Sequence, residues 1–484
     1  MIKTSSRPRI RFLSEKAIEK IHLSATRILE KTGVMYNNQT ALELLAQNGA
    51  TVDFEGKIAK IPSSLVEEKL KEAPSKITLY DRDGRPTLHV EKDNVYFNPG
   101  STAINILDSE TGELRKPVTR DLEDFVRLTD ALNNMHAQST ALVVSDVPEA
   151  IVDRYRLYMV LKGSKKPVVT GAFTVEGLHD MKQMLSAVVG EDKLSEKPLA
   201  VFDVCPSPPL MWSYITSQNL IDCARYGIPA EVVSMPLSGA TGPASLAGTI
   251  VLHTAETLSG IVLAQLSNPG APVIYGGSPA VFDMKYGTTP MGAIETIMID
   301  CAYGEMGKHY GLPTHAYIGL SDSKLVDAQA GFESGIGLVM GALAGINVIS
   351  SAGMLDFESC QSFEKLVIDN ELCGMALRIA KGIDESDECL AGGLIEEIGS
   401  GGHYLTTRHT LDRFAKEQYM PSAVIDRMDR KAWKERGSKN SFQRARQAVQ
   451  KILQEHLPEP LAPDVEKQLT KIGKAIFEKN GVRI

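Results

Sequence analysis

The feature that most constrains this chain is an eightfold alternation. Between residues 94 and 382, short apolar runs are each followed by a longer stretch of helical periodicity. The runs lie at 95–98, 141–145, 167–171, 199–203, 230–235, 272–276, 314–319 and 347–351. The helical stretches lie at about 119–133, 150–162, 175–189, 211–226, 244–267, 291–311, 324–343 and 358–381. A hairpin turning at Thr111-Gly112 complicates only the first connection. Eight β-then-α units close naturally into a (β/α)₈ TIM-like barrel, an α/β fold. An open doubly wound sheet is the alternative, but no Gly-x-Gly-x-x-Gly stands at a strand end.

The flanks read differently. Residues 1–93 form an N-terminal α+β extension. Ser14 is placed to cap a helix striped with Ile18, Ile21, Ala25, Ile28 and Leu29. Ser64-Leu65-Val66-Glu67 has the pattern of a capping box. Hairpins are expected at Glu55-Gly56 and Asp83-Gly84. Residues 383–484 form a C-terminal helical extension, expected to pack on the barrel or on another subunit of a homo-oligomer.

Composition excludes several function classes. The net charge of −8 marks neither a nucleic-acid binder nor a protein of anionic membranes. Met1-Ile2-Lys3-Thr4 leads into Arg7, Arg9 and Arg11 with no apolar segment behind, so no secretory signal is expected. The best candidate span, 244–266, contains His253, Glu256 and Gln265 and two glycines, which suits a buried helix. The six cysteines show neither Cys-x-x-Cys spacing nor a nearby histidine. They read as reduced thiols, and the chain as cytoplasmic.

Chemistry in such a barrel sits at the C-terminal ends of the strands. Here those ends are rich in small polar residues, among them Asn98-Pro99-Gly100-Ser101, Gly276-Gly277-Ser278 and Ser350-Ser351-Ala352-Gly353. Such residues leave room for a ligand, although they also serve as turn formers and helix caps. Alternation places His315, Tyr317 and Gly319 on one strand face, with apolar Ala316 and Ile318 on the other, which points His315 and Tyr317 into the lumen. Tyr275 is expected to do the same on the sixth strand. Asp146, Asp203 and Glu231 lie on different strands and offer a carboxylate pair whose distance the sequence does not set. No Gly-x-Ser-x-Gly, His-Glu-x-x-His or Walker A pattern occurs, and the six-residue spacing of His403 and His409 does not suit a helical metal face.

Four stretches carry a resemblance: 234–249, with Pro236-Leu237-Ser238-Gly239-Ala240-Thr241-Gly242-Pro243; 276–284; 321–331; and 403–410, followed by Asp426-Arg427 and Trp433. In that order they resemble the trimethylamine methyltransferase (MttB) family, in its branch without pyrrolysine. The resemblance implies a barrel that moves a methyl group from an amine to the cobalt of a corrinoid, cob(I)alamin or its relative. No Asp-x-His-x-x-Gly occurs, so the corrinoid is expected on a separate protein docking at the barrel mouth. Lacking pyrrolysine and any metal motif, the chain is expected to bind no metal directly and to take a donor that is already cationic. A quaternary amine leaves as a neutral tertiary amine and needs no activator.

Glycine betaine is the leading substrate; proline betaine and carnitine stand beside it. Rings that could hold the cation, each at about 0.5–2 kcal/mol, are Phe97, Phe173, Tyr275, Tyr317 and Phe357. His315 and Asp203 complete the expected substrate site, with the substrate carboxylate on exposed amides or on His315. Two other readings compete. One is a quaternary-amine binder without catalysis. The other is a barrel lyase or hydrolase using the scattered Asp and Glu residues.

Overall fold

The computed structural model describes residues 7–190 and 193–482; residues 1–4, read above for a secretory signal, lie outside the described residues. Eight parallel strands form its centre: β1 (Tyr96–Pro99), β2 (Gln138–Ser139), β3 (Val168–Thr170), β4 (Ala200–Val204), β5 (Ala230–Ser234), β6 (Val273–Gly277), β7 (His315–Ala316) and β8 (Val348–Ala352). Strands β2 to β6 pair in sequence order, and β7–β8–β1 form a second run. A parallel bridge between Tyr275 and Thr314 joins the runs on one side. On the other, the His136 amide donates to the Phe97 carbonyl at 2.7 Å. The sheet therefore has no free edge, and the barrel is closed.

The helices that follow the strands are α1 (Thr119–Ala131), α2 (Val152–Gly163), α3 (Val175–Val189), α4 (Tyr214–Tyr226), α5 (Leu246–Ser267), α6 (Ile294–His309), α7 (Ala328–Ala344) and α8 (Phe363–Lys381). Each lies within a few residues of its expected place. The second strand does not. It is β2 at Gln138–Ser139, ahead of the apolar run at 141–145, which continues past the barrel rim and bridges Ala103 through Leu142. A continuous buried run does not reveal which of its residues carry the ladder.

Strand alternation sorts side chains into two cores. Outward residues such as Phe202, Val232, Val273, Ala316, Ile318 and Ile349 join the main core beneath the helices. Inward residues at the strand starts, Val201, Ile274 and Val348, pack against Ile77, Leu79, Leu88 and Val90. These last four belong to the antiparallel hairpin Ile77–Tyr80 and Pro86–Val90, which turns at Asp83-Gly84 as expected and plugs the floor of the barrel. With the floor filled by apolar side chains, the lumen opens only toward the strand C-termini.

The flanks wrap this barrel. Ser14 caps Glu15–Lys31, and that helix packs on α5. The helix at Ser63–Glu72 starts after Pro62 without a side-chain cap, so the expected capping box at Ser64 does not form. Helix α5 is long and apolar enough to cross a membrane by composition, yet it is mostly buried between the barrel and the N-terminal elements. Trp212 donates to its Ser259 hydroxyl at 2.9 Å. At the other end of the chain, Ser441–Glu455 packs on α8 and α1, and Pro463–Phe477 packs on α2 and α3. Phe477 meets Tyr155 and Tyr158, each at 5.5 Å between ring centroids.

Helix α7 shows how tightly the layers fit. A Cβ on Gly337 would lie 1.9 Å from the Ile318 carbonyl oxygen, whereas one on Gly331 of the same helix would meet nothing within 4 Å. Alanine favours a helix interior by about 1 kcal/mol over glycine, but overpacking against backbone costs about 1–3 kcal/mol. Gly337→Ala is expected to lower the thermal unfolding midpoint and Gly331→Ala to leave it level or raise it. Equal midpoints for the two variants would contradict this packing.

Candidate active site

Four strands bring their inward side chains to one place above the floor. Asp203 on β4 and Glu231 on β5 are directly paired in the parallel register. His315 on β7 turns Nδ1 onto the Glu231 carboxylate. Tyr317, two residues on, donates its hydroxyl to Glu231 Oε2 at 3.3 Å and stacks on the His315 ring at 4.7 Å. Room for Glu231 comes from β6, where a Cβ on Gly276 would sit 1.9 Å from Oε1.

Hydrogen bonding from the barrel wall fixes the state of the imidazole. Asn98 Nδ2 donates to the Pro99 carbonyl at 3.1 Å, which leaves Oδ1 as the acceptor. That oxygen takes the Ser350 hydroxyl hydrogen at 2.7 Å. The Ser350 oxygen must then accept from His315 Nε2, 2.6 Å away. Nε2 therefore carries the hydrogen and Nδ1 presents a lone pair to the carboxylates. Burial holds the imidazole pKa down at about 4, so the ring is neutral. Its one N–H is committed to Ser350, and His315 does not serve as the donor to a substrate carboxylate that the sequence reading had offered.

The carboxyl groups are shifted the other way. Burial pushes Glu231 up to about 8. Burial, and next the neighbouring Glu231, raise Asp203 well above the ordinary range. Higher in the lumen Glu358, enclosed by protein, accepts from the Ser351 hydroxyl at 2.6 Å and is raised by burial to about 7. Asp203, Cys205 and Glu358 are surrounded by protein but keep part of their surface open, so they border an internal space at the strand ends. Among the described residues, no Lys or Arg forms an ion pair with Asp203, Glu231 or Glu358.

The expected aromatic residues do not converge. Phe97 alternates with inward Asn98 and lies in the outer core beneath the helices. Tyr275 also points outward: its hydroxyl donates to Thr254 on α5 at 3.0 Å, and its ring meets Tyr310 beyond α6 at 5.8 Å. The inward residues of β6 are Ile274 and Gly276, a parity the run of small and apolar residues did not reveal. Phe173 and Phe357 stand at the mouth, but protein cations already face their rings. The Arg156 guanidinium lies 5.4 Å from Phe173 and Lys324 Nζ 3.7 Å from Phe357. Only Tyr317 lies beside the carboxylates. The lumen is lined by acids, where a cage of rings was expected.

Other candidates resolve simply. Asp146 accepts from the Thr119 amide at 2.9 Å and so holds the start of α1, away from Asp203. His403 and His409 lie in the C-terminal extension, outside the barrel. Sequence reasoning missed Glu358, Arg156 and the Asn98–Ser350 relay. Glu358 stands in the loop after the eighth strand, where an acidic residue was a usable signal. Arg156, on α2, is fully buried and binds Ser101, Thr102 and the Thr140 carbonyl at the mouth, and nothing in its helical context marks it.

Comparison with known proteins identifies the family and supports the fold. A family model described as trimethylamine methyltransferase (MTTB) matches residues 2–474. The trimethylamine methyltransferase MttB of Desulfitobacterium hafniense is 35% identical, over 97% of this chain and 94% of its own. A glycine betaine methyltransferase of Desulfitobacterium hafniense (strain Y51) is also 35% identical, over 98% and 99%. The crystal structure of the Methanosarcina barkeri monomethylamine methyltransferase matches with a TM-score of 0.53 at 9% identity, covering 100% of this chain and 90% of that one, which supports the fold. With a family model spanning nearly its whole length and relatives above the 30% level, this chain belongs to the trimethylamine methyltransferase (MTTB) family.

Proposed function

We propose that this chain transfers a methyl group from a quaternary amine, glycine betaine first among the candidates, to the Co(I) centre of a corrinoid carried by a separate protein. The observation that carries the reading is the acidic lining of the lumen. Glu358 and Asp203 border an enclosed space at the strand ends and have no basic ion-pair partner among the described residues. Ionising a buried carboxyl without an ion-pair partner is costly, and a permanent cation relieves that cost; for Asp203 the buried Arg156 guanidinium supplies only a longer-range part of it. A quaternary ammonium supplies such a charge and cannot lose it by deprotonation.

The chemistry follows from that charge. A corrinoid presented at the mouth would supply a Co(I) nucleophile for one methyl carbon, and the C–N bond pair would stay on nitrogen. The amine leaves neutral, so no proton has to be delivered to it. The protein's work is to hold the ammonium near Glu358, exclude water and aim one methyl toward the mouth. A full-length relative named glycine betaine methyltransferase supports this substrate class. Proline betaine and carnitine fit the same charge argument.

The barrel mouth suits a docking protein. Ile104, Phe173, Met235, Met284, Tyr286 and Leu325 are exposed on the loops after β1, β3, β5, β6 and β7. Large apolar residues gathered on one face mark an interaction surface. A second group, Ile383, Leu390, Ile395, Leu405, Leu411 and Phe414, is exposed in the C-terminal extension and supports self-association. The six free thiols accord with a reducing, cytoplasmic setting.

Three outcomes are expected. Mixing the chain with cob(I)alamin and each amine should consume Co(I) absorbance with a betaine and not with trimethylamine. Methylation from trimethylamine alone would refute the charge argument. The pH dependence follows from Glu358. A cation binds its ionised form, so affinity for glycine betaine should rise as pH passes upward through about 7. Titration calorimetry on Glu358→Gln should show weaker binding with that rise removed; an unchanged profile would take Glu358 out of the site. Finally, Met284→Glu with Leu325→Glu should slow methylation of the corrinoid protein about tenfold or more, as loss of an interface anchor does. Transfer to free cob(I)alamin should persist, and equal loss with both acceptors would place these residues elsewhere in the mechanism.

A further inference from the structure

His315 is the most constrained side chain in the lumen. The relay from Asn98 through Ser350 commits Nε2 as a donor, and among the described residues no N–H or hydroxyl donor reaches Nδ1. Its lone pair is therefore aimed at two carboxyl groups. Glu231 Oε1 and Asp203 Oδ1 are buried and receive no hydrogen bond from a donor of the wall; the two carboxyl groups are within hydrogen-bond reach of each other only if a proton lies between them. One nitrogen or oxygen from each of the three residues lies within 4.8 Å of the other two.

We propose that Asp203, Glu231 and His315 form a binding site for a divalent transition-metal ion, with zinc the closest match. Three lines of chemistry converge on this assignment. A metal-ligating histidine is neutral and has its other ring nitrogen held as a hydrogen-bond donor, the state Ser350 imposes here. Two carboxylates balance the charge of a divalent ion, and one imidazole with two carboxylates suits zinc with a fourth position left open. Tetrahedral bonds of about 2.0–2.2 Å place ligand atoms roughly 3.4 Å apart, so seating an ion requires the His315–Glu231 contact to open while all three groups stay within reach. Without an ion the cluster needs two shared protons, one between Glu231 and Nδ1 and one between Asp203 and Glu231. An ion engages all three residues. No spaced motif announces the site because its ligands come from three strands, and here the inference departs from the expectation of no directly bound metal.

The open position faces the side on which Asp203 borders the internal space. It suits an anionic oxygen, and a betaine would lie with its carboxylate on the ion and its ammonium toward Glu358 and the mouth. That orientation rests on the methyl-transfer reading; the ion site itself does not.

The test uses the full chain without amine or corrinoid. Protein purified without chelator is analysed for metal by mass spectrometry, then stripped, dialysed and titrated with Zn²⁺ or Co²⁺. About one equivalent should bind per chain, Co²⁺ should show visible ligand-field bands, and Zn²⁺ should raise the unfolding midpoint. Asp203→Asn and Glu231→Gln should weaken uptake at least about tenfold. Wild-type protein that takes up neither ion above background overturns the proposal, whether or not the variants fold. Uptake undiminished in both variants also overturns it, by placing the ion elsewhere. Because no methyl donor is present, failure here leaves the methyl-transfer reading standing. A failed methyl-transfer assay leaves the metal result to be judged alone.

Discussion

The pairing of Asp203 with Glu231 across β4 and β5 is the constraint around which the lumen is organised. Two carboxyl groups held side by side away from water cannot both ionise without a counter-charge. Backbone register, not side-chain choice, sets their separation, so the strain cannot be relieved by a rotamer change alone. The neighbouring residues answer that strain. Gly276 gives up its side chain to admit Glu231, Tyr317 donates to it, and Ser350 holds the His315 hydrogen on the far side of the ring.

The floor hairpin gives that cluster its setting. Ile77, Leu79, Leu88 and Val90 fill the N-terminal end of the barrel and exclude water from beneath. Any ligand must therefore come from the strand C-termini, where the loops carry small residues and exposed apolar side chains. The extensions support this arrangement from outside. Arg82, at the hairpin turn, donates to the Pro460 carbonyl at 3.2 Å and ties the C-terminal segment to the floor. Plug, barrel and wrap are thus mechanically connected, although the chemistry is confined to one end.

Much of this was legible in the residues, and the failures share a cause. Turn pairs such as Asp83-Gly84 and helix stripes are local signals, and they located the hairpins and all eight barrel helices. The face of β7 was also readable, since Ala316 and Ile318 are apolar where His315 and Tyr317 are not. On β6 every residue is apolar or small, so nothing local told Tyr275 from Ile274 as the inward residue. Phe97 failed in the same way beside Asn98. The carboxylate pair was offered by the sequence, with Asp146 as a third candidate, but its distance was out of reach for a different reason. Asp203, Glu231 and His315 are brought together by barrel closure, which links positions 28 to 112 residues apart and leaves no spacing to detect.

The replacement of an expected aromatic cage by acids changes how a cation would be held. Cation–π attraction offers about 0.5–2 kcal/mol per ring and is insensitive to pH. A buried carboxylate offers more, but only when ionised, so its strength is tied to its protonation state. An acidic lumen therefore favours a substrate with a fixed charge over one that can release a proton to the wall. A tertiary amine such as trimethylamine gains its charge only by protonation. Its hold on the lumen would therefore depend on the protonation state of both the amine and the carboxyls. A quaternary amine has no proton to lose, so its charge and its reactivity survive whatever state the carboxyls adopt. The carboxyl chemistry of the lumen thus bears on how the proposed quaternary amine would be held.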